Sequence, residues 1–192
     1  MMRRVVLAVL LASMVAGLSG CLPLVAAGGA SAALVATDRR TSGAYVDDQA
    51  IELKAEHQIA EKLPSAHVNV SSYNRVVLLT GEVPNEEAKS QALLIARSQP
   101  NVRNVYDYTT IGPVSSLSER SNDVYVATKV RTRLLDGKGF PPGQVKVVTE
   151  RGVVYLMGLL TQAEGEAAAA VVSQTSGVQK VVTLFEVINP VQ

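Results

Sequence analysis

The chain repeats itself, and the repeat limits what it can fold into more than any other feature. Val68-Asn69-Val70 and Val76-Val77-Leu78-Leu79-Thr80-Gly81 recur 77 positions later as Val145-Lys146-Val147 and Val153-Val154-Tyr155-Leu156-Met157-Gly158. Upstream, Asp48, Lys54 and Ile59 match Asp123, Lys129 and Leu134 at an offset of 75. Downstream, Val102 and Val105 match Val178 and Val181 at an offset of 76. Drifts of one or two residues are ordinary loop and helix-end changes. One unit of about 65 residues therefore occurs twice, and the chain holds two small domains.

Periodicity within a copy gives its elements. Ile51, Ala55 and Ile59 recur every four positions, the spacing of one helix face, with Asp48 as the expected N-cap. Residues 68–71 and 76–80 are β-branched and alternating around Tyr73-Asn74-Arg75, which predicts a hairpin. Pro84-Asn85-Glu86-Glu87 opens a second helix with acids at the positive end of its dipole. Residues 101–111 close the unit as a strand. The second copy predicts a helix over 123–135, a hairpin over 145–160, a helix over 162–175 and a strand over 178–188. The order α-β-β-α-β predicts an α+β fold: in each domain a three-stranded sheet carries two helices on one face. The expected boundaries are 47–112 and 113–192.

A different kind of segment precedes the repeat. Arg3 and Arg4 lead into an almost wholly apolar run over residues 5–16, followed by Leu18-Ser19-Gly20-Cys21. This is the layout of a secretory signal peptide, and its last four residues resemble a bacterial lipobox. The resemblance implies cleavage after residue 20 and acylation of Cys21, the one cysteine of the chain. No charge occurs between residues 5 and 37, a length that could span a bilayer, but Gly17, Gly20, Pro23, Gly28 and Gly29 interrupt it. By the sorting rule of such lipoproteins, Leu22 in place of Asp after the cysteine implies export to the outer membrane, facing the periplasm. Residues 21–46, rich in Ala, Gly and Ser, are expected to be a lipidated tether.

Composition excludes several function classes. The formal net charge is +1, and loss of Arg3 and Arg4 with the leader makes it −1, so nothing points to nucleic acid. A single cysteine allows no internal disulfide and no multi-Cys zinc site. His57 and His67 have no acid or cysteine at ligand spacing, so neither a metal nor a cofactor is expected. Gly137, Gly139 and Gly143 miss the dinucleotide-binding spacing, and no serine sits in a nucleophile-elbow pattern. Glu86, Glu87, Glu164 and Glu166 look like paired carboxylates, but helix capping accounts for them. No enzymatic activity is expected.

The helix over 123–135 carries the one distinctive surface. With Val126, Val130 and Leu134 toward the core, a step of about 100° per residue puts Ser121, Tyr125, Thr128, Thr132 and Leu135 on the opposite face. Lys129, Arg131 and Arg133 lie to its sides. An aromatic and a leucine flanked by cations suit an anionic membrane interface. Phe140, in the loop Gly137-Lys138-Gly139-Phe140-Pro141-Pro142-Gly143, is expected to insert beside them. In the first copy Ala50, Glu56 and Gln58 replace Tyr125, Arg131 and Arg133, and residues 47–62 hold five acids and two lysines. Anionic lipid would repel that helix. The bland alternative is that Tyr125 and Leu135 pack against the first domain or the loop over 137–143.

The element order, the strand endings Leu79-Thr80-Gly81 and Leu156-Met157-Gly158, and the closing Gly177-Val178-Gln179-Lys180-Val181 resemble the BON domain. Two such domains behind a lipobox resemble the dual-BON outer-membrane lipoproteins. That resemblance implies that the second domain binds anionic phospholipid, notably phosphatidylglycerol, that the protein gathers at the division site and supports outer-membrane integrity, and that it has no catalytic activity. A protein-interaction module contacting envelope assembly or cell-wall factors is the alternative the sequence leaves open.

Overall fold

The computed structural model describes residues 38–189. The signal peptide, Cys21 and the tether up to residue 37 lie outside the described residues. From Asp38 onward the chain forms one compact unit.

The first domain comprises α1 (Ser42–Lys62), β1 (His67–Tyr73), β2 (Val76–Val83), α2 (Glu86–Arg97), β3 (Asn104–Asp107) and a short β4 (Thr110–Ile111). The second comprises α3 (Leu117–Asp136), β5 (Lys146–Glu150), β6 (Val153–Leu160), α4 (Gln162–Ser173) and β7 (Lys180–Val187). The predicted α-β-β-α-β order holds in both. In each sheet the middle strand pairs antiparallel with its hairpin partner and parallel with the closing strand. The closing strand of the first domain is broken in two: Asp107 turns back to accept from the Thr109 amide and hydroxyl, and pairing with β2 resumes at Thr110.

Both first helices begin earlier than the sequence pattern predicts. Thr41 caps α1 by accepting from the Ala44 amide, and Ser116 caps α3 in a reciprocal box with Glu119. Asp48 and Asp123 are therefore not N-caps. They are buried inside their helices and reach the hairpin turns. Asp48 accepts from the amides of Asn74 and Arg75 at 2.8 and 2.7 Å, and Asp123 from those of Arg151 and Gly152, both at 2.8 Å. All four turn residues have positive φ, the geometry of a tight right-twisted hairpin, and its amides point away from the ladder. A buried carboxylate from the neighbouring helix satisfies them, once in each repeat.

The motif glycines also have a physical reason. A Cβ on Gly81 would lie 2.0 Å from the His67 carbonyl oxygen, and one on Gly158 would lie 2.4 Å from that of Gln144. Backbone crosses the central strand at these points, and only glycine leaves room.

The helices cover one face of each sheet, as expected. Val77, Leu79 and Val83 of β2 join Ile51, Ala55 and Ile59 in the first core. Val154 and Leu156 of β6 join Val126, Val130 and Leu134 in the second. The alternate residues form a third core that belongs to neither domain alone. Tyr73, Val76 and Leu78 of one sheet pack on Tyr155, Met157 and Leu159 of the other. The sheets thus stand back to back with a helical layer outside each. At ~1.5–3 kcal/mol per large apolar side chain, these six residues contribute on the order of 10 kcal/mol before ordering entropy is subtracted.

The tether ends before residue 46, because residues 38–46 are part of the fold. Arg39 makes a two-pronged pair with Glu164 at the start of α4, at 2.7 and 2.9 Å, and donates to the Leu159 carbonyl. Arg40 lies 4.1 Å over the Tyr73 ring and pairs with Asp38 and Asp48. Burial works against the Arg40 charge, but the hydrogen bonds to Asp38 and Asp48 outweigh it and raise its pKa. The charged run Asp38-Arg39-Arg40, flanked by Thr37, Thr41, Ser42 and Gly43, has no periodicity that separates it from a linker, so sequence alone assigns it to the tether.

The hydrogen bonds from Arg39 pull the Glu164 carboxyl down to about 2, against an ordinary 4.5. A depressed carboxyl stabilises the fold above its unfolded pKa and loses that contribution as pH falls. Arg39→Ala should therefore cost about 1 kcal/mol at neutral pH. In paired thermal melts its deficit should shrink as pH drops from about 4.5 toward 2. A deficit independent of pH would show that the pairing is not what Arg39 contributes.

Candidate functional site

The surface of α3 that faces away from the second core carries an exposed apolar stripe interrupted by Ser121, Thr128 and Thr132. Val126, Ala127, Val130 and Leu134 are buried on the inner side, while Tyr125 and Leu135 are 62% and 71% exposed. Neither the first domain nor the loop covers them, so the packing alternative is overturned. Leu117, which lies outside the helix bounds predicted from sequence, and Val124, which the predicted outer face omits, are 80% and 67% exposed. Leu117 and Leu135 are 18 residues apart, five full helical turns, so they mark two ends of one stripe. The Ser116-x-x-Glu119 capping box was the available signal for the longer helix.

Within the stripe, Thr128 donates its hydroxyl proton to the Val124 carbonyl and Thr132 to the Thr128 carbonyl, at 2.8 and 3.0 Å. Both hydroxyl protons are thereby committed to the helix rather than to the surface. The flanking cations behave differently from one another. Lys129 leans over the Tyr125 ring with its Nζ 4.5 Å from the centroid and donates to the Ser176 carbonyl. Arg131 donates to the Val147 carbonyl on β5 at 3.2 Å. Arg133 is exposed and has no partner among the described residues. Arg120, unremarked in the sequence, donates to the Ser115 carbonyl and hydroxyl on the same flank as Arg131.

Phe140 does not join this surface. It is buried in the second core beside Leu134, and a Cβ on Gly137 would come within 2.5 Å of its ring. The Gly-Pro-rich loop folds back over the helix end and tucks the ring under it. Its apolarity was legible, its direction was not. Beside the exposed Leu135, a groove of about 400 Å³ runs between Arg131, Pro142 and Lys146.

The matching helix α1 presents Val46 and Leu53 to solvent, so exposed apolar residues alone do not distinguish α3. Charge does. Glu56, where α3 has Arg131, is exposed, and Glu52 pairs with Lys146 of the second domain. A cleft of about 480 Å³ separates Glu52 and Glu56 of α1 from Arg120 and Arg131 of α3. Within reach of that cleft, His67, Glu82 and Glu150 bring one potential ligand atom each to within 4.8 Å of one another. Among the described residues no helix is long and apolar enough to cross a membrane.

The BON domain pattern matches residues 47–113 and 122–189. The chain belongs to the BON-domain family. It is 38% identical to outer membrane lipoprotein DolP of Haemophilus influenzae, over 90% of this chain and 91% of that one. It is also 34% identical to the 21 kDa hemolysin of Actinobacillus pleuropneumoniae, over 81% and 80% of the two chains, and 26% identical to osmotically-inducible protein Y of Escherichia coli, over 72% of each. The likeness to DolP, nearly end to end, supports an outer-membrane lipoprotein with two BON domains.

The placement of α3 in its BON domain hangs on Asp123. Asp123→Ala would leave the buried Gly152 amide and its neighbour without acceptors, at a cost of about 3 kcal/mol. Urea unfolding of that variant should show the loss, and Asp48→Ala should show a similar one through Asn74 and Arg75. Wild-type stability in both would mean that the turns hold themselves.

Proposed function

We propose that this chain is a non-enzymatic outer-membrane lipoprotein facing the periplasm, anchored through acylated Cys21, whose second BON domain docks on anionic phospholipid through α3. Phosphatidylglycerol is the lipid, and the docked protein supports outer-membrane integrity, at the division site in growing cells.

The observation that carries this reading is the exposed stripe Leu117, Val124, Tyr125 and Leu135, with Arg131 and Arg120 on one flank and Lys129 and Arg133 on the other. The apolar side chains enter the headgroup–acyl boundary, and Tyr125 sits at the level its ring and hydroxyl favour. The cations stay at the headgroups, each contributing about 1 kcal/mol near an anionic leaflet. Lys129, held over the Tyr125 ring, keeps its charge next to the aromatic rather than sweeping through solvent. Such a helix binds weakly by itself. Two or three acyl chains at Cys21 supply the lasting attachment, and the anchor raises the effective concentration of α3 at the bilayer. A weak docking element on a strong anchor responds to lipid composition, because headgroup charge then decides whether α3 lies down.

Residues 38–192 without the anchor should sediment with phosphatidylglycerol vesicles and not with phosphatidylcholine vesicles. Binding should fall steeply between about 0.1 and 0.5 M salt, as screening predicts. Tyr125→Glu and Leu135→Glu should each weaken it at least tenfold, since each removes roughly 1.5 kcal/mol or more of apolar burial. Leu53→Glu on α1 should change nothing. Equal binding by Tyr125→Glu and the parent would end the proposal.

A further inference from the structure

The fold gathers at the seam between the two domains a set of ligating groups that sequence spacing hides. His67 and Glu82 are cross-strand partners in the β1–β2 ladder, and Asn69 follows His67 on the same face of β1. Glu150 ends β5 of the second domain and accepts from Asn69 Nδ2 at 2.9 Å. Glu82 is fully buried and Glu150 nearly so.

We propose that this seam holds a divalent transition-metal ion, zinc by its donor set, bound by His67 Nδ1 and the carboxylates of Glu82 and Glu150, with water completing the shell. Two carboxylate oxygens and an imidazole nitrogen are a zinc-type set, and a water in the fourth position is ordinary. His67 Nδ1 already lies 3.3 Å from Glu82 Oε2. That is the edge of a tetrahedron of ~2.0 Å radius, the usual zinc–ligand distance. All three donors fall within 4.8 Å, so rotamer adjustments close the site.

Charge supplies the second argument. Arg151 Nε lies 2.7 Å from Glu82 Oε1, and the Ser115 amide donates to Oε2 at 3.0 Å, so Glu82 is compensated as it stands. Glu150 is not. Its partner is a neutral amide, no cation pairs with it among the described residues, and Glu82 and Asp123 add like charge nearby. A divalent ion would relieve that charge. The way in exists: His67, Asn69 and Glu150 all line the 480 Å³ cleft between α1 and α3. Because β1 and β2 supply two ligands and β5 the third, the ion would bind the two domains to each other.

The test uses the full chain in detergent, stripped with EDTA and titrated with zinc chloride by calorimetry. One ion per chain is expected, and cobalt(II) in its place should give visible absorption bands. Glu150→Gln and His67→Ala should each weaken binding at least ~10-fold. His57→Ala, which alters the only other histidine, should leave it unchanged. Zinc should raise the Tm of the parent and not that of Glu150→Gln. Without zinc, Glu150→Gln should melt no lower than the parent, which establishes that it folds. The proposal is overturned by absence of saturable heat, by undiminished affinity in Glu150→Gln and His67→Ala, or by loss of binding in His57→Ala.

Discussion

The central strand of each sheet is apolar on both faces, and the rest of the molecule follows from covering them. A small αββαβ unit has helices enough for one face only. Val77 and Leu79 go to the helices, which leaves Val76 and Leu78 without cover unless a second sheet arrives. The repeat brings that sheet, with Tyr155, Met157 and Leu159 on its matching face. Duplication is thus a packing solution as well as a genetic event. Each domain completes the core of the other, and the pair buries two faces that neither could bury alone.

Polar groups at the margin of this seam set its register. Glu82 is fully buried at the end of the apolar stripe, with the Ser115 amide, His67 and Arg151 around it. Burial alone would push its carboxyl up, but these partners outweigh that and hold it below the ordinary value. Sliding one sheet by a residue would keep much of the greasy contact while leaving this carboxylate without its amide and guanidinium, a heavy penalty in a low-dielectric seam. Tyr108 and Tyr155, with ring centroids 4.9 Å apart, and the pairs from Asn74 and Arg103 to Glu186 fix other points of the same interface. The apolar stripe holds the sheets together, and the charged margin selects one arrangement.

What could be read in the sequence follows the range of the physics involved. The repeat, the element order and the inner helix faces come from periods of two and four residues, which are local. Val76-Val77-Leu78-Leu79 is an unbroken apolar run, the mark of a strand buried on both faces, and treating it as an alternating hairpin strand passes over that signal. Its consequence, a second sheet, requires asking what covers the outer face, and periodicity does not pose that question. Asp48 and Asp123 stand out through the repeat, yet their position suggests capping rather than the role they have. A buried aspartate inside a helix is improbable until the turn it serves, 26 to 29 residues away, is folded against it. Phe140 failed for the opposite reason. A lone aromatic in a Gly-Pro loop can turn in or out, and the space beside Gly137 decided it. The His67, Glu82 and Glu150 cluster was invisible because its members lie 15 and 68 positions apart in sequence, and only β-ladder register and domain packing bring them together.

The back-to-back arrangement also determines which surfaces stay free to diverge. Since the sheets use their open faces on each other, both helical layers remain outermost, and the outer stripes of α1 and α3 are under no packing demand from the partner domain. Each helix keeps an apolar inner face and the same buried aspartate, so the fold is indifferent to what the outer stripe carries. Selection can then write opposite charge on the two copies at little cost in stability, since exposed substitutions away from caps and cores are nearly neutral. Glu56 against Arg131 is such a difference, written on one scaffold at matching positions. An exposed stripe of Leu117, Val124, Tyr125 and Leu135 is itself a solubility liability. α1 also keeps Val46 and Leu53 outward, so exposure alone names no partner, and it is the charge beside the α3 stripe, Arg131 where α1 has Glu56, that favours an anionic surface. With the acyl anchor proposed at Cys21, the bilayer is the surface always within reach.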